Sequence, residues 1–167
     1  MSRGFVKEED QEETPLVPPR ADLPDGVTNY VTENGMAELL AEKKALIDEK
    51  SAIETSTEQE KRIASNFINA KIRLLEERIA AAKIVALNEQ PKNEIRFGAT
   101  VKLKIGKSTK ILTYQIVGVD EADIAKSKIS FISPVAKVLI GKKKGEQAIV
   151  KLAKKDSIFE VMEINYL

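Results

Sequence analysis

Cysteine, histidine and tryptophan are all absent from the 167 residues. Without cysteine there is no disulfide framework and no thiolate nucleophile. Without histidine there is no Ser-His-Asp triad and no imidazole general base. A zinc site would have to be built from carboxylates alone, which is rare for structural zinc. Any chemistry therefore falls to Asp, Glu, Lys, Ser, Thr or Tyr. Aromatic residues make up only 5%, so the core must be mainly aliphatic. No apolar run approaches the roughly 20 residues needed to span a bilayer. The first 13 residues, polar and acidic, lack the apolar centre of a signal peptide. The expectation is a soluble cytoplasmic protein with no membrane partner.

Apolar residues make up 43% of the chain, enough for a core. The net charge of +1 hides a gradient. Residues 1–34 carry 8 acids and 3 bases, residues 35–90 are nearly balanced, and residues 91–167 carry 15 bases against 8 acids. A basic C-terminal part fits either an acidic partner or a lysine-rich solvated surface. The run Lys142-Lys143-Lys144 is its densest patch.

The pattern divides the chain in three. Residues 1–27 read as a flexible acidic arm: Pro15, Pro18, Pro19 and Pro24 exclude helix and central strand. Residues 28–88 read as a helical hairpin, with both helices inside 33–87. Met36, Leu39, Leu40, Leu46, Ile47 and Ile53 recur at three- and four-residue steps opposite a charged face. The rhythm breaks at Glu54-Thr55-Ser56-Thr57-Glu58, where Thr57 with Glu60, or Thr55 with Glu58, fits a capping box. A second helix offers two neighbouring apolar stripes, Ile63/Phe67/Ala70/Leu74 and Ile68/Ile72/Leu75/Ile79/Ala82. Two such helices joined by a short turn make an antiparallel coiled-coil hairpin. A linker around Pro91 follows.

Residues 94–167 change period. Strands are expected at Thr100–Ile105, Ile111–Val119, Ile129–Ile132, Gln147–Ala153 and Ile158–Tyr166. Ser133-Pro134 opens a short helix that Gly141 closes. The fold class is therefore α+β, a helical hairpin followed by a small β-sheet domain with one short helix.

Several segments of this second domain, in order, resemble one family. They are Arg96-Phe97-Gly98-Ala99-Thr100-Val101, Tyr114-Gln115-Ile116-Val117-Gly118-Val119-Asp120-Glu121-Ala122-Asp123, the stretch from Ile129 through Ser133-Pro134 to Gly145-Glu146, and the ending Phe159 to Leu167. Asn29-Tyr30-Val31-Thr32 followed by Gly35 resembles the entry to that family's hairpin. The family is that of the Gre-type bacterial transcription elongation factors. The resemblance implies an FKBP-like docking domain that grips RNA polymerase at its secondary channel. It also implies a hairpin threading that channel, with acidic tip residues helping to hold a magnesium ion while the polymerase cleaves backtracked RNA. Carried over residue by residue, it points to Ile132, Ser133 and Pro134, with Asp120 and Glu121, as polymerase-binding. It implies a monomeric accessory factor that is not an enzyme and has no cofactor or metal of its own. Its contact with nascent RNA would be indirect. A prolyl isomerase, which the FKBP-like fold invites, would need an aromatic pocket that so few aromatic residues supply poorly.

The tip departs from the family's Asp-Leu-x-Glu-Asn-type motif. Glu54, Glu58 and Glu60 are the carboxylates near the turn, and no Asp lies among them. The hairpin is also roughly 15 residues shorter than a typical member's, which at 1.5 Å per residue sets the tip back on the order of 10 Å. Three functions follow. The first is stimulation of transcript cleavage through the tip glutamates. The second is a non-cleaving channel regulator, like the anti-cleavage paralogues or the nucleoside-diphosphate-kinase-regulator relatives. The third is nucleic-acid binding through the C-terminal lysines, with a steep salt dependence. The acidic arm would shield the basic domain by transient pairing.

Overall fold

The computed structural model describes residues 14–151 and 153–167. Two helices, α1 (Glu33–Ser51) and α2 (Glu58–Ala81), run antiparallel as the hairpin. Thr32 caps α1 by accepting a hydrogen bond from the Gly35 N–H, and Thr57 caps α2 by accepting from that of Glu60. Each cap satisfies a backbone donor that the first helical turn leaves unpaired. Of the two possible stripes on α2, the structure buries Ile68 and Leu75, with Ile79 and Ala82 packed beside them, and leaves Ile63 exposed.

Two short strands, β1 (Asn29–Val31) and β2 (Ala82–Ile84), pair in parallel and close the hairpin at its base. This corrects the expected extent of the second helix. It stops at Ala81 because the next three residues extend to pair with β1.

The C-terminal domain is a five-stranded sheet of order β5-β4-β3-β7-β6. Its strands are β3 (Thr100–Ile105), β4 (Ile111–Val117), β5 (Lys128–Ser130), β6 (Gln147–Val150) and β7 (Ser157–Asn165). All pairs are antiparallel except β4–β5, which is parallel and needs the crossover of residues 118–127. Helix α3 (Pro134–Leu139) packs against β5 and β6, with Ser133 as its N-cap and Pro134 at its first position. Ile95, Val101, Leu103, Ile116, Leu139 and Val161 are fully buried. Each such side chain contributes about 1.5–3 kcal/mol relative to exposure. The expected alternation along β3 is seen: Val101 and Leu103 point inward, Lys102 outward.

The hairpin meets the sheet where β4 ends. A Cβ on Gly118 would stand 2.5 Å from the Tyr30 carbonyl oxygen, and one on Gly35 would stand 2.7 Å from a Glu121 carboxylate oxygen. Both glycines are the condition for this close approach. The rings of Tyr30, Phe97 and Phe131 pack mutually at 5.6–5.9 Å between centroids, covering the junction.

Candidate functional site

The hairpin tip is the turn between α1 and α2. Glu54, Glu58 and Glu60 are all exposed there. Glu60 lies at the third position of α2, its N–H held by Thr57, while its carboxylate accepts a hydrogen bond from the Ser56 hydroxyl at 3.0 Å. The expected box is thus half formed, with Ser56 in place of the Thr57 N–H. Thr55 turns away from Glu58 and donates to the Thr57 carbonyl at 3.0 Å. Negative charge at this helix start is favoured by the dipole in any case. Among the described residues no three acidic side chains converge as a cation site.

At the other end of the hairpin lies the junction with the sheet. β4 and β5 end together, Val117 opposite Ser130, and the Phe131 N–H donates to the Val117 carbonyl at 2.9 Å. The Ile132–Pro134 corner and the Asp120–Glu121 loop therefore leave the same end of the sheet. At the corner Pro134 is exposed and Ile132 and Ser133 are half-buried. The Ser133 hydroxyl accepts from the Ala136 N–H at 3.2 Å.

Asp120 and Glu121, read from the resemblance as part of a docking surface, point into the chain. Glu121 is buried, and its carboxylate accepts from the Thr32 hydroxyl at 2.6 Å, the Asn34 amide at 3.0 Å and the Lys128 ammonium at 3.1 Å. Asp120 accepts from Arg20 Nε at 3.0 Å and lies 3.7 Å from Arg78 Nε. Arg20 also makes a two-pronged contact with Glu42 of α1, at 2.8 and 3.0 Å. Those Glu42 hydrogen bonds hold the Arg20 proton above its ordinary affinity, with Asp120 adding to the effect. Arg78 donates to the Ala21 carbonyl.

Residues 14–27, expected to be part of a flexible arm, are therefore tied to both helices and to the sheet domain. They carry no helix or strand, as their prolines require. The acidic run between Lys7 and Glu13 lies outside the described residues.

Lys143 and Lys144 are exposed and Lys142 half-buried, on the loop from α3 to β6. That loop is pinned to the linker, where the Ile95 N–H donates to the Lys142 carbonyl at 2.8 Å. The structure thus brings together Ile132, Ser133, Pro134, Asp120 and Glu121 at one end. It leaves Glu54, Glu58 and Glu60 a hairpin's length away. Arg20, Asn34, Arg78 and Lys128 were not legible as members of this cluster. Their partners lie from 7 to 100 positions distant, and no local pattern marks them.

Comparison with known proteins gives a family. The family model described as "Transcription elongation factor, GreA/GreB, C-term" matches residues 90–166. The transcription elongation factor GreA of Methylococcus capsulatus is 34% identical over 131 residues, covering 78% of this chain and 81% of its own. The chain belongs to the GreA/GreB family of transcription elongation factors. GreA of Rickettsia canadensis is likewise 34% identical, over 82% of this Gre factor and 83% of its own length. GreA of Halorhodospira halophila is 40% identical over a shorter match, 60% of this chain and 65% of the relative, just under two thirds of its length. Among solved structures, Gfh1 of Thermus thermophilus overlaps 83% of this Gre factor and 99% of its own chain at 22% identity, with a TM-score of 0.40.

Proposed function

We propose that this Gre factor binds RNA polymerase at its secondary channel and stimulates the polymerase's own cleavage of backtracked transcripts. The sheet domain docks through the Ile132-Ser133-Pro134 corner, and the hairpin carries Glu54 and Glu58 inward. The observation that carries the reading is the exposed acidic turn at the free end of a hairpin whose base is hydrogen-bonded to the sheet domain. Two-metal cleavage of a phosphodiester gains from added hard oxygen ligands, and carboxylates supply both charge and oxygen. Glu60, engaged with Ser56, orders the turn. Asp120 and Glu121 support docking from behind by fixing the loop beside the corner. The factor acts as an accessory to the polymerase rather than as an enzyme, and the nascent RNA is reached through the polymerase.

One observation favours a second reading, the non-cleaving channel regulator. No Asp lies at the tip, and of its three glutamates one is already hydrogen-bonded. A single assay separates the two. Stalled, backtracked complexes of the cognate polymerase are followed for transcript shortening with and without the protein. Faster cleavage that Glu54→Gln with Glu58→Gln reduces at least 10-fold is the expected result. Tight binding with no change in cleavage would overturn it in favour of the regulator. Pro134→Ala with Ser133→Ala should weaken binding while leaving the maximal cleavage rate at saturation intact.

A further inference from the structure

We propose that Arg20 is a positioning residue, whose guanidinium sets the angle at which the hairpin leaves the sheet domain and hence where the tip carboxylates arrive. The consequence for cleavage rests on the function proposed above; the geometric claim does not.

The argument is one of levers. The remaining junction contacts cluster near the pivot: three-residue strands β1 and β2, Thr32 and Asn34 on Glu121, and the three aromatic rings. Contacts at a pivot restrain translation well and rotation poorly. Arg20 is placed differently. It grips Glu42, seven residues beyond Gly35, which is about 10 Å out along α1. It grips Asp120 of the sheet domain with its Nε at the same time. A tie set outward from the pivot works with a moment arm against rotation.

The second helix reinforces it. Arg78 of α2 donates to the Ala21 carbonyl, beside Arg20, and faces Asp120 from the other side at 3.7 Å. Residues 20 and 21, α2 and the sheet-domain loop therefore meet around the Asp120 carboxylate, and α1 joins them through the Arg20–Glu42 contact. One oxygen of Asp120 and one terminal nitrogen of Arg78 are buried without hydrogen-bond partners. Without Arg20, the buried Asp120 would keep only the longer Arg78 contact, and a buried carboxylate so exposed to loss of its partner draws in water. The junction would open rather than relax slightly. The fork of the guanidinium matters as well, because a lysine ammonium offers one point of charge where three contacts are made.

Small rotations are large at the tip. Along the 24 residues of α2, roughly 36 Å at 1.5 Å per residue, a swing of about 10° moves the tip on the order of 6 Å. Metal ligation tolerates a few tenths of an ångström.

The absence of cysteine makes the test direct. Lys61→Cys near the tip and Lys137→Cys on α3 place two unique spin labels on exposed helical positions. Their distance distribution is measured by pulsed dipolar spectroscopy in the full chain, with Arg20 intact, with Arg20→Gln and with Arg20→Lys. A narrow distribution in the parent, shifted or broadened by on the order of 6 Å in both variants, is the expected result. An unchanged narrow distribution overturns the proposal whatever cleavage does. Glu42→Gln, an exposed substitution on α1, serves as the second variant should Arg20→Gln fail to fold. It should broaden the distribution less, since it leaves the Asp120 contact in place. With unlabelled protein, Arg20→Gln should lower the cleavage rate at saturation more than it weakens polymerase binding. A moved distance with unaltered cleavage would leave Arg20's positioning role standing and overturn the consequence drawn from it for cleavage.

Discussion

Tyr166 closes the end of β7 onto the segment that leads into the sheet. Its hydroxyl donates to the Glu94 carbonyl at 2.5 Å and accepts from the Arg96 N–H at 2.8 Å, bonding to residues 70 and 72 positions away. Burial, the largest cause, raises its pKa above the usual value for tyrosine. The sign follows directly. The unfolded chain releases this proton first, so the stability that Tyr166 contributes is complete below about pH 10 and is lost as pH rises through the folded value. Tyr166→Phe should cost about 1–2 kcal/mol near neutrality, because two backbone groups lose their partner. In urea titrations the gap between wild type and variant should narrow above pH 10, and a gap independent of pH would contradict the assignment. Gly118 makes the complementary point. A methyl group there would collide with the Tyr30 carbonyl, so Gly118→Ala should destabilise by about 1–3 kcal/mol in the same titrations. The family's segment around Gly118 was legible in the sequence, but the reason for its glycine was not, because the constraint comes from residue 30.

The helices show which information is local. The second helix's start was legible to within two candidate capping boxes because a cap is a short-range device: Thr57 sits three residues before the N–H that it satisfies, as Thr32 does at the first helix. The strands of the sheet domain were legible for the same kind of reason, from alternation within a few residues. Strands β1 and β2 were not, since three residues carry no period and their pairing joins positions 53 apart. The buried stripe of α2 was left open between two candidates, because a broad apolar face does not say which side its partner takes. Burial along the hairpin is uneven in a way that the repeating pattern hid. Among the described residues, α1 beyond Leu39 and α2 before Ile68 contain no fully buried side chain. The outer half rests on partly covered residues such as Leu46 and on surface pairs such as Lys44–Asp48, which contribute little. Amides in 43–51 and 62–66 should therefore exchange with solvent at least roughly 10-fold faster than those in 68–79. Uniform protection along both helices, measured by mass spectrometry, would show that the outer half draws support from something besides its own packing.

At the scale of the whole molecule, the proposed function turns on length. If the factor docks through its sheet domain as proposed, the junction sets the direction of the hairpin and the number of helical turns sets where the tip arrives. With the direction fixed, reach becomes a matter of counting. Inserting seven residues into each arm, between Ala45 and Leu46 in α1 and between Phe67 and Ile68 in α2, would lengthen the hairpin by about 10 Å. It would rotate the outer face by only about 20°, so the apolar seam would still meet. If the native tip already delivers Glu54 and Glu58 to the polymerase's metal site, a rigid unit has no means of absorbing the added length. The extended protein should then bind the polymerase more weakly and lose cleavage stimulation, while keeping the thermal stability of the sheet domain. If instead the extended protein cleaves faster than the native one, and does so only with Glu54 and Glu58 present, the native tip stops short. Hairpin length would then be the feature that makes the protein a regulator of the channel.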